Sequence, residues 1–354
     1  MRRRLVTWAV GLVLAWFAYR ALRALAGSVD WAAVGSALVT IHGWVFAPLL
    51  LLLLARQVLN AVPLTYYVPG LGLARSVQND TTANLLGTFT PPPADVVIRI
   101  QMFRSWGLDP VLGMTGVTLN TAKFYVIRFV APVLGLLALG VREAELRQWL
   151  IAVVCALASA VFLVGLVLVL RSDALAAWFG RTAGRVVARF RRSVDPQAWA
   201  AYLVRLRATT ADSLRRGLLP SMLALVGMVL ADATILLVSV RAFDLGTGRV
   251  PTLDVYSAFL LGYPLTLLPL FGFGVLDAVL VGSLTTVAGA AAEAQLVAAA
   301  AVWRVVTIVG TLVLGLVSLA IWRLRHAAYR RLDNGAPGLP GATPTAPIPP
   351  GRTP

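Results

Sequence analysis

The chain has 354 residues, of which 59% are hydrophobic and only 13% charged, about half the charged share of a soluble domain. That composition leaves too little polar surface to clothe a water-soluble globule, so it excludes a soluble enzyme and makes a bilayer the solvent. The formal net charge of +16 fits the basic cytoplasmic loops of a polytopic protein and argues against nucleic-acid binding.

In chain order, apolar segments of spanning length are predicted at 5–22, 44–62, 111–139, 148–170, 218–240 and 296–322. The region 252–290 is too long for one span and is interrupted at Pro269 and Gly272–Gly274, so it reads as two broken spans. The fold class is therefore all-α: a polytopic membrane helical bundle of about eight spans, including two broken or re-entrant helix regions. Residues 1–331 form one transmembrane domain, and 332–354 a disordered, Pro/Gly-rich cytoplasmic tail. The first segment, Arg2–Arg4 with an apolar run behind it, reads as a signal anchor that is retained.

Charge orients the bundle. With both termini inside, the inner segments carry 21 basic residues and the outer ones 6. The positive-inside rule then places both ends in the cytoplasm, at a bacterial inner membrane. Residues 172–217 form a basic cytoplasmic amphipathic loop, whose basic and apolar residues alternate as in helices lying on an anionic membrane. A solvated loop that only sets topology is an equally simple reading. The orientation predicts no labelling by an impermeant thiol reagent of cysteines placed at Ser193 or Asn334 in intact cells. Labelling at either site would overturn it.

Two stretches interrupt the apolar pattern. "TFTPPPADVVIR" carries Pro91, Pro92 and Pro93, then Asp95 and Arg99. "YPLTLLPLFGFGVLDAVL" carries Pro269, Gly272 and Gly274, then Asp277. Proline lacks an N–H and disfavours the α conformation in the residue before it, so each break ends one helix. A carboxylate in the first turn then favours the next, against the positive dipole end. Arg99, one turn after Asp95, is expected on the same helix face. Open backbone groups at membrane depth are tolerated only where protein buries them or a watery cavity meets them. Paired breaks in two halves of a chain are a pointer to a transport site, and both helix starts are expected to point into one central polar cavity. Two ordinary loops are the plainer alternative.

Charges inside the spans point the same way. Lys123, Arg128, Asp232, Asp277 and Arg304 each cost roughly 2.5–3.5 kcal/mol at a helix centre, so they must face the bundle interior, pair, or line a hydrated path. Static buried ion pairs are the bland reading. Arg56 lies nearer a span end and is expected to snorkel. No nucleotide loop, metal-binding cluster or nucleophile constellation is present, so no enzyme activity and no cofactor is expected. The lone cysteine, Cys155, excludes an intrachain disulfide.

The C-terminal pattern "LLPLFGFGVLDAVLVGSLTTVAGAAAEAQLVAAAAVWRVVTIVGTLVLG" resembles the flippase-like transmembrane region of lysylphosphatidylglycerol synthases. The shared features are Leu268-Pro269, Gly272 and Gly274, Asp277, and Arg304. In the N-terminal half Asn84, Pro91–Pro93, Asp95 and Arg99 resemble it as well. The departures are Phe271 in place of a glycine, Asp where Glu is usual, and a spacing of four between Asp95 and Arg99 where three is expected. The resemblance implies a flippase-like domain without the family's synthase domain. It implies binding or translocation of a membrane lipid, anionic or polyprenyl-phosphate-linked. Lys123, Arg128 and Arg304 would attract the head-group phosphate, Asp95 and Asp277 would hold the breaks or exchange ion pairs with those cations, and Arg99 is a further candidate for substrate binding. A non-transporting scaffold for an envelope glycosyltransferase partner is the alternative.

Overall fold

The computed structural model describes residues 31–90, 93–139, 149–150, 153–154, 156–157, 160–161, 164, 172–190, 195–268 and 272–335. Among them every regular element is helical. The α-helices are α1 (Trp31–Val39), α2 (Phe46–Tyr67), α3 (Leu73–Phe89), α4 (Ala94–Ser105), α5 (Pro110–Leu139) and α6 (Asp173–Phe190). They continue with α7 (Pro196–Arg241), α8 (Thr252–Gly262), α9 (Val275–Ala288), α10 (Glu293–Arg304) and α11 (Gly310–Gly335). A π-helical turn, Val305–Val309, joins α10 to α11.

Four stretches are long and apolar enough to cross a membrane: Gly43–Tyr67, Pro110–Ala138, Gly217–Arg241 and Ala290–Arg325. They match four of the predicted spans. The predicted span 5–22 and most of 148–170 lie outside the described residues. The region 252–290 forms two short helices. At about 1.5 Å per residue, the 11 residues of α8 and the 14 of α9 rise about 17 and 21 Å, short of a roughly 30 Å hydrocarbon core.

Contacts fix the directions. Tyr67 meets Ser221, Arg56 meets Asp232, and Leu59 would meet a side chain at Gly227, so α2 and α7 run antiparallel. The start of α5 packs on the end of α2, where Gly116 lies against Val68. The Tyr67, Pro110 and Gly217 ends thus share one face of the bundle, here the lower. The Gly43 and Arg241 ends share the upper.

The chain turns at Gly72 and climbs again as α3. Ser76 bonds back to Ala61 and Asn60 to Asp80, so α3 is antiparallel to α2. It then breaks and returns as α4, with Arg99 on Asp80 and Gly87 beside Asp95. The pair α3–α4 is a helical hairpin that enters from the lower face. The pair α8–α9 is its counterpart from the upper face. Thr252 is tied to Arg241 at the top, Leu260 packs on Gly135 of α5, and Gly262 returns against Leu276. Residues 43–139 and 217–325 therefore share one plan of span, hairpin, span, with the hairpins entering from opposite faces.

Both helix restarts follow the expectation from sequence. Pro93 is the N-cap of α4, with Asp95 in its first turn. Gly274 is the N-cap of α9, and its N–H donates to Asp277 Oδ2 at 2.7 Å. Pro91, Pro92 and Pro269 lie outside the described residues. The polar run on α3 is tolerated because its groups bond between helices. Gln78 donates to the Ser318 carbonyl at 2.9 Å, and Thr81 donates to Ser318 Oγ at 2.9 Å. Leucines instead face outward: Leu50, Leu51 and Leu54 of α2 are exposed, as suits lipid contact.

The expected basic loop is a helical hairpin. α6 packs antiparallel on the first half of α7, which continues unbroken through Pro220 into the span. The 46 residues of α7 rise about 69 Å, so one helix leads from the bilayer into the basic region. Gly180 and Gly184, one turn apart, set the close approach: a Cβ at Gly180 would stand 2.5 Å from the Ala200 Cα, and one at Gly184 2.6 Å from the Pro196 Cα. Gly180→Leu is expected to cost about 1–3 kcal/mol by overpacking. Trypsin should then cut more readily at the arginines of 181–216, with the spans intact. Unchanged cleavage would show that this packing holds nothing. α11 runs to Gly335, past the position where the tail was expected to begin, and 336–354 lie outside the described residues.

Candidate functional site

Between the two hairpins lies a cavity of about 310 Å³. α2 contributes Arg56, α3 Asp80, α4 Arg99, α5 Arg128, α7 Asp232 and α10 Arg304. Arg56 is 13 residues from Gly43 and 11 from Tyr67, so the cavity sits near mid-height of the spans. The tip of the second hairpin supplies Tyr263 and Thr266, and the upper part of α3 supplies Asn84 and Thr88. Asn84 and Thr88 on α3 and Thr121 on α5 are exposed, so the cavity opens along the seam between these helices.

Three ion pairs organise the wall. Arg304 Nε meets Asp277 Oδ1 at 2.7 Å, Arg99 Nη2 meets Asp80 Oδ1 at 2.9 Å, and Arg56 Nε meets Asp232 Oδ2 at 3.1 Å. Each is backed by a further bond. Asp277 also caps α9, Arg99 donates to Asn79 Oδ1 at 2.7 Å, and Trp303 Nε1 donates to Asp232 Oδ1 at 3.0 Å. Asp80 accepts from Asn60 as well. Such second bonds offset part of the desolvation that makes a bare buried pair costly.

Arg128 differs. Its guanidinium carbon stands 4.5 Å from the centre of the Phe124 ring, and it hydrogen-bonds Tyr263. No carboxylate among the described residues pairs with it. Its Nε is buried and has no hydrogen-bond partner among the described residues.

The sequence-predicted residues divide accordingly. Arg99, Arg128 and Arg304 line the cavity, and Asp277 joins it through Arg304. Asp95 does not line it, and Arg99 turns to Asp80 and Asn79, because the antiparallel packing of α3 and α4 sets those acceptors opposite it. The expectation that both helix starts point their acids into one cavity is therefore not met: neither Asp95 nor Asp277 lines it, and Asp277 reaches it only through Arg304. Lys123 is fully buried but stands off the cavity: it donates to the Tyr67 hydroxyl, which donates to Ser221 Oγ at 2.9 Å. Gly272 and Gly274 form the turn at the second break, with φ of +69° and +83°.

Arg56 corrects the sequence reading. It does not snorkel, because Pro63 lies inside α2 and the span runs on to Tyr67, which brings Arg56 to mid-height beside Asp232. Asp80 is a site residue that the sequence reading does not single out, since it lies within a run of polar residues from Gln78 to Asn84. The usable signal was periodic: Asp80, Asn84 and Thr88 recur every fourth residue and line one face of α3. The π turn directly after Arg304 widens the helix where Thr307 and Ile308 line the wall, a feature often found at functional sites.

The fold and the cavity define a multi-pass helical membrane protein with a charged site at mid-depth. No family model matches the chain, and no curated protein matches it. The resemblance to the transmembrane region of lysylphosphatidylglycerol synthases therefore rests on the shared motifs alone.

Proposed function

We propose that this protein binds the head group of an anionic or glycosylated lipid in its central cavity and moves that lipid between leaflets. The observation that carries this reading is a cavity at mid-height whose lining includes charged side chains with a net positive charge, between two broken hairpins from opposite faces. Its lining holds four arginines against Asp80 and Asp232. Intramembrane charge of this kind is expensive and serves a solute pathway in transporters. At about 310 Å³ the cavity falls at the low end of the roughly 300–1,000 Å³ of small-molecule sites, a size for a head group and not for a whole lipid. The seam between α3 and α5 lets acyl or isoprenoid chains stay in the bilayer while the head group sits inside. The orientation we adopt has both chain ends in the cytoplasm of a bacterium, from the distribution of arginine.

Reconstitution tests this. Liposomes carrying the protein and a head-group-labelled phosphatidylglycerol should lose outer-leaflet and then inner-leaflet fluorescence to a membrane-impermeant quencher. Protein-free liposomes should lose only the outer half. Arg128→Met and Arg304→Met should each slow the second phase at least about tenfold, the value of one charge-assisted hydrogen bond. A second phase no faster than in protein-free liposomes, across anionic and glycosylated lipids, would sink transport and favour the scaffold reading.

A further inference from the structure

The three ion pairs of the cavity are each one cation to one anion: Arg56 with Asp232, Arg99 with Asp80, and Arg304 with Asp277. Arg128 remains the one lining guanidinium with no carboxylate among the described residues. Among the described residues the wall thus carries a single positive charge without a counter-ion, and its buried Nε, like that of ion-paired Arg56, has no hydrogen-bond acceptor. A second unpartnered atom lies on the same helix. Asn120 Oδ1 is buried with no donor among the described residues, and Asn120 lines both the main cavity and a second, smaller cavity of about 40 Å³ that shares Asp80, Arg99 and Thr121 with it. Asn120, Phe124 and Arg128 follow at intervals of four residues, so all three face the cavity from α5. The anion-seeking and donor-seeking atoms are separated by eight residues, about 12 Å along the helix. Between and around them the wall offers neutral polar groups, among them Gln57, Asn84, Thr121 and Thr266.

We propose that the cavity takes a head group bearing one negative charge, a phosphodiester, at Arg128, with hydroxyl groups on its far side donating to Asn120. This rests on the lipid reading above and narrows it. The phosphodiester meets the one uncompensated cation and leaves the three pairs intact. A phosphomonoester or diphosphate brings a further charge, and the remaining guanidiniums are already matched. A head group with an ammonium needs a carboxylate, and each of the three is taken. The hydroxylated cap is a glycerol or a sugar.

The test uses the full chain in phosphatidylcholine nanodiscs doped with equal amounts of competing lipids. These are phosphatidylglycerol, a polyprenyl phosphate hexose, phosphatidylmethanol, phosphatidic acid and phosphatidylethanolamine. Lipid retained on the protein is counted by native mass spectrometry. Phosphatidylglycerol or the polyprenyl phosphate hexose should exceed phosphatidic acid and phosphatidylethanolamine at least about tenfold, and the better of the two identifies the cap. Arg128→Gln should erase that preference, and Arg128→Lys should keep part of it. Asn120→Leu should bring phosphatidylglycerol down to the level of phosphatidylmethanol, which has the same charge and no hydroxyl. Retention of phosphatidic acid or phosphatidylethanolamine equal to phosphatidylglycerol would overturn the proposal while leaving lipid binding in place. So would a preference surviving in Arg128→Gln. No lipid retained above phosphatidylcholine would remove the lipid reading itself.

Discussion

Asp277→Ala is expected to lower stability by about 3–5 kcal/mol, seen as a fall of roughly 10 °C in the melting temperature of the detergent-solubilised protein. The carboxylate holds two groups at once. It pairs with Arg304, whose side chain is only 9% exposed, and it accepts the Gly274 N–H that opens α9. Alanine leaves a guanidinium buried with its main anion gone and removes a helix cap worth about 1 kcal/mol. The double variant Asp277→Leu with Arg304→Met should recover most of the loss, since apolar groups of similar volume can replace a buried pair at little cost. It should still transport poorly, because the cation at the cavity wall is gone. A single variant that melts like the wild type would show that this pair does not hold the second hairpin in place.

Gly272→Val is expected to abolish head-group binding while leaving helix content near the wild-type value. Gly272 has φ +69°, a left-handed conformation that costs an L-residue about 1–2 kcal/mol and a β-branched one more. A Cβ there would also lie 2.5 Å from the Leu265 carbonyl oxygen. That neighbour is backbone, so no rotamer change relieves the clash, and the tip of the hairpin must move. The tip carries Tyr263 and Thr266, which line the cavity, and Tyr263 holds Arg128. Gly246→Ala is the matched control, since a Cβ at Gly246 meets nothing within 4 Å. Wild-type binding by Gly272→Val, measured by lipid retention, would show that the turn does not position the site.

The two breaks were legible because the chemistry that makes them is local. Proline cannot continue a helix, and glycine with a carboxylate three residues on starts one, so Pro93 and Gly274 stand as N-caps where the sequence placed new helices. The four long spans were legible from length and apolarity alone. What escaped depends on partners far along the chain. Arg99 lies four residues from Asp95 in sequence, but the packing of α3 against α4 gives it Asp80. Arg56 lies near an end of the predicted span 44–62, whereas α2 runs on through Pro63 to Tyr67, since helices inside a membrane bundle tolerate proline when neighbours satisfy the freed carbonyl. The basic region 172–217 and the span 218–240 read as separate segments, but one helix, α7, runs unbroken through Pro220 from the first into the second. Lys123 and Arg128 looked equivalent in sequence. Five residues apart, they lie on different faces of α5, one against Tyr67 and one in the cavity.

The central claim is that a lipid head group enters the bundle at mid-depth through the seam between α3 and α5. Photo-crosslinking measures this directly, using phosphatidylglycerol with a diazirine on the head group or, in parallel, on the acyl-chain terminus. Tryptic mapping of the adducts locates each end of the lipid. The account predicts head-group adducts on the cavity wall, at Asn84, Thr121 and Thr311, and acyl-chain adducts on exposed aromatic side chains beside the seam, Phe89 of α3 and Tyr125 of α5. Head-group adducts confined to the ends of the spans, near Tyr67, Gly217 or Arg241, with none on the cavity wall, would contradict it.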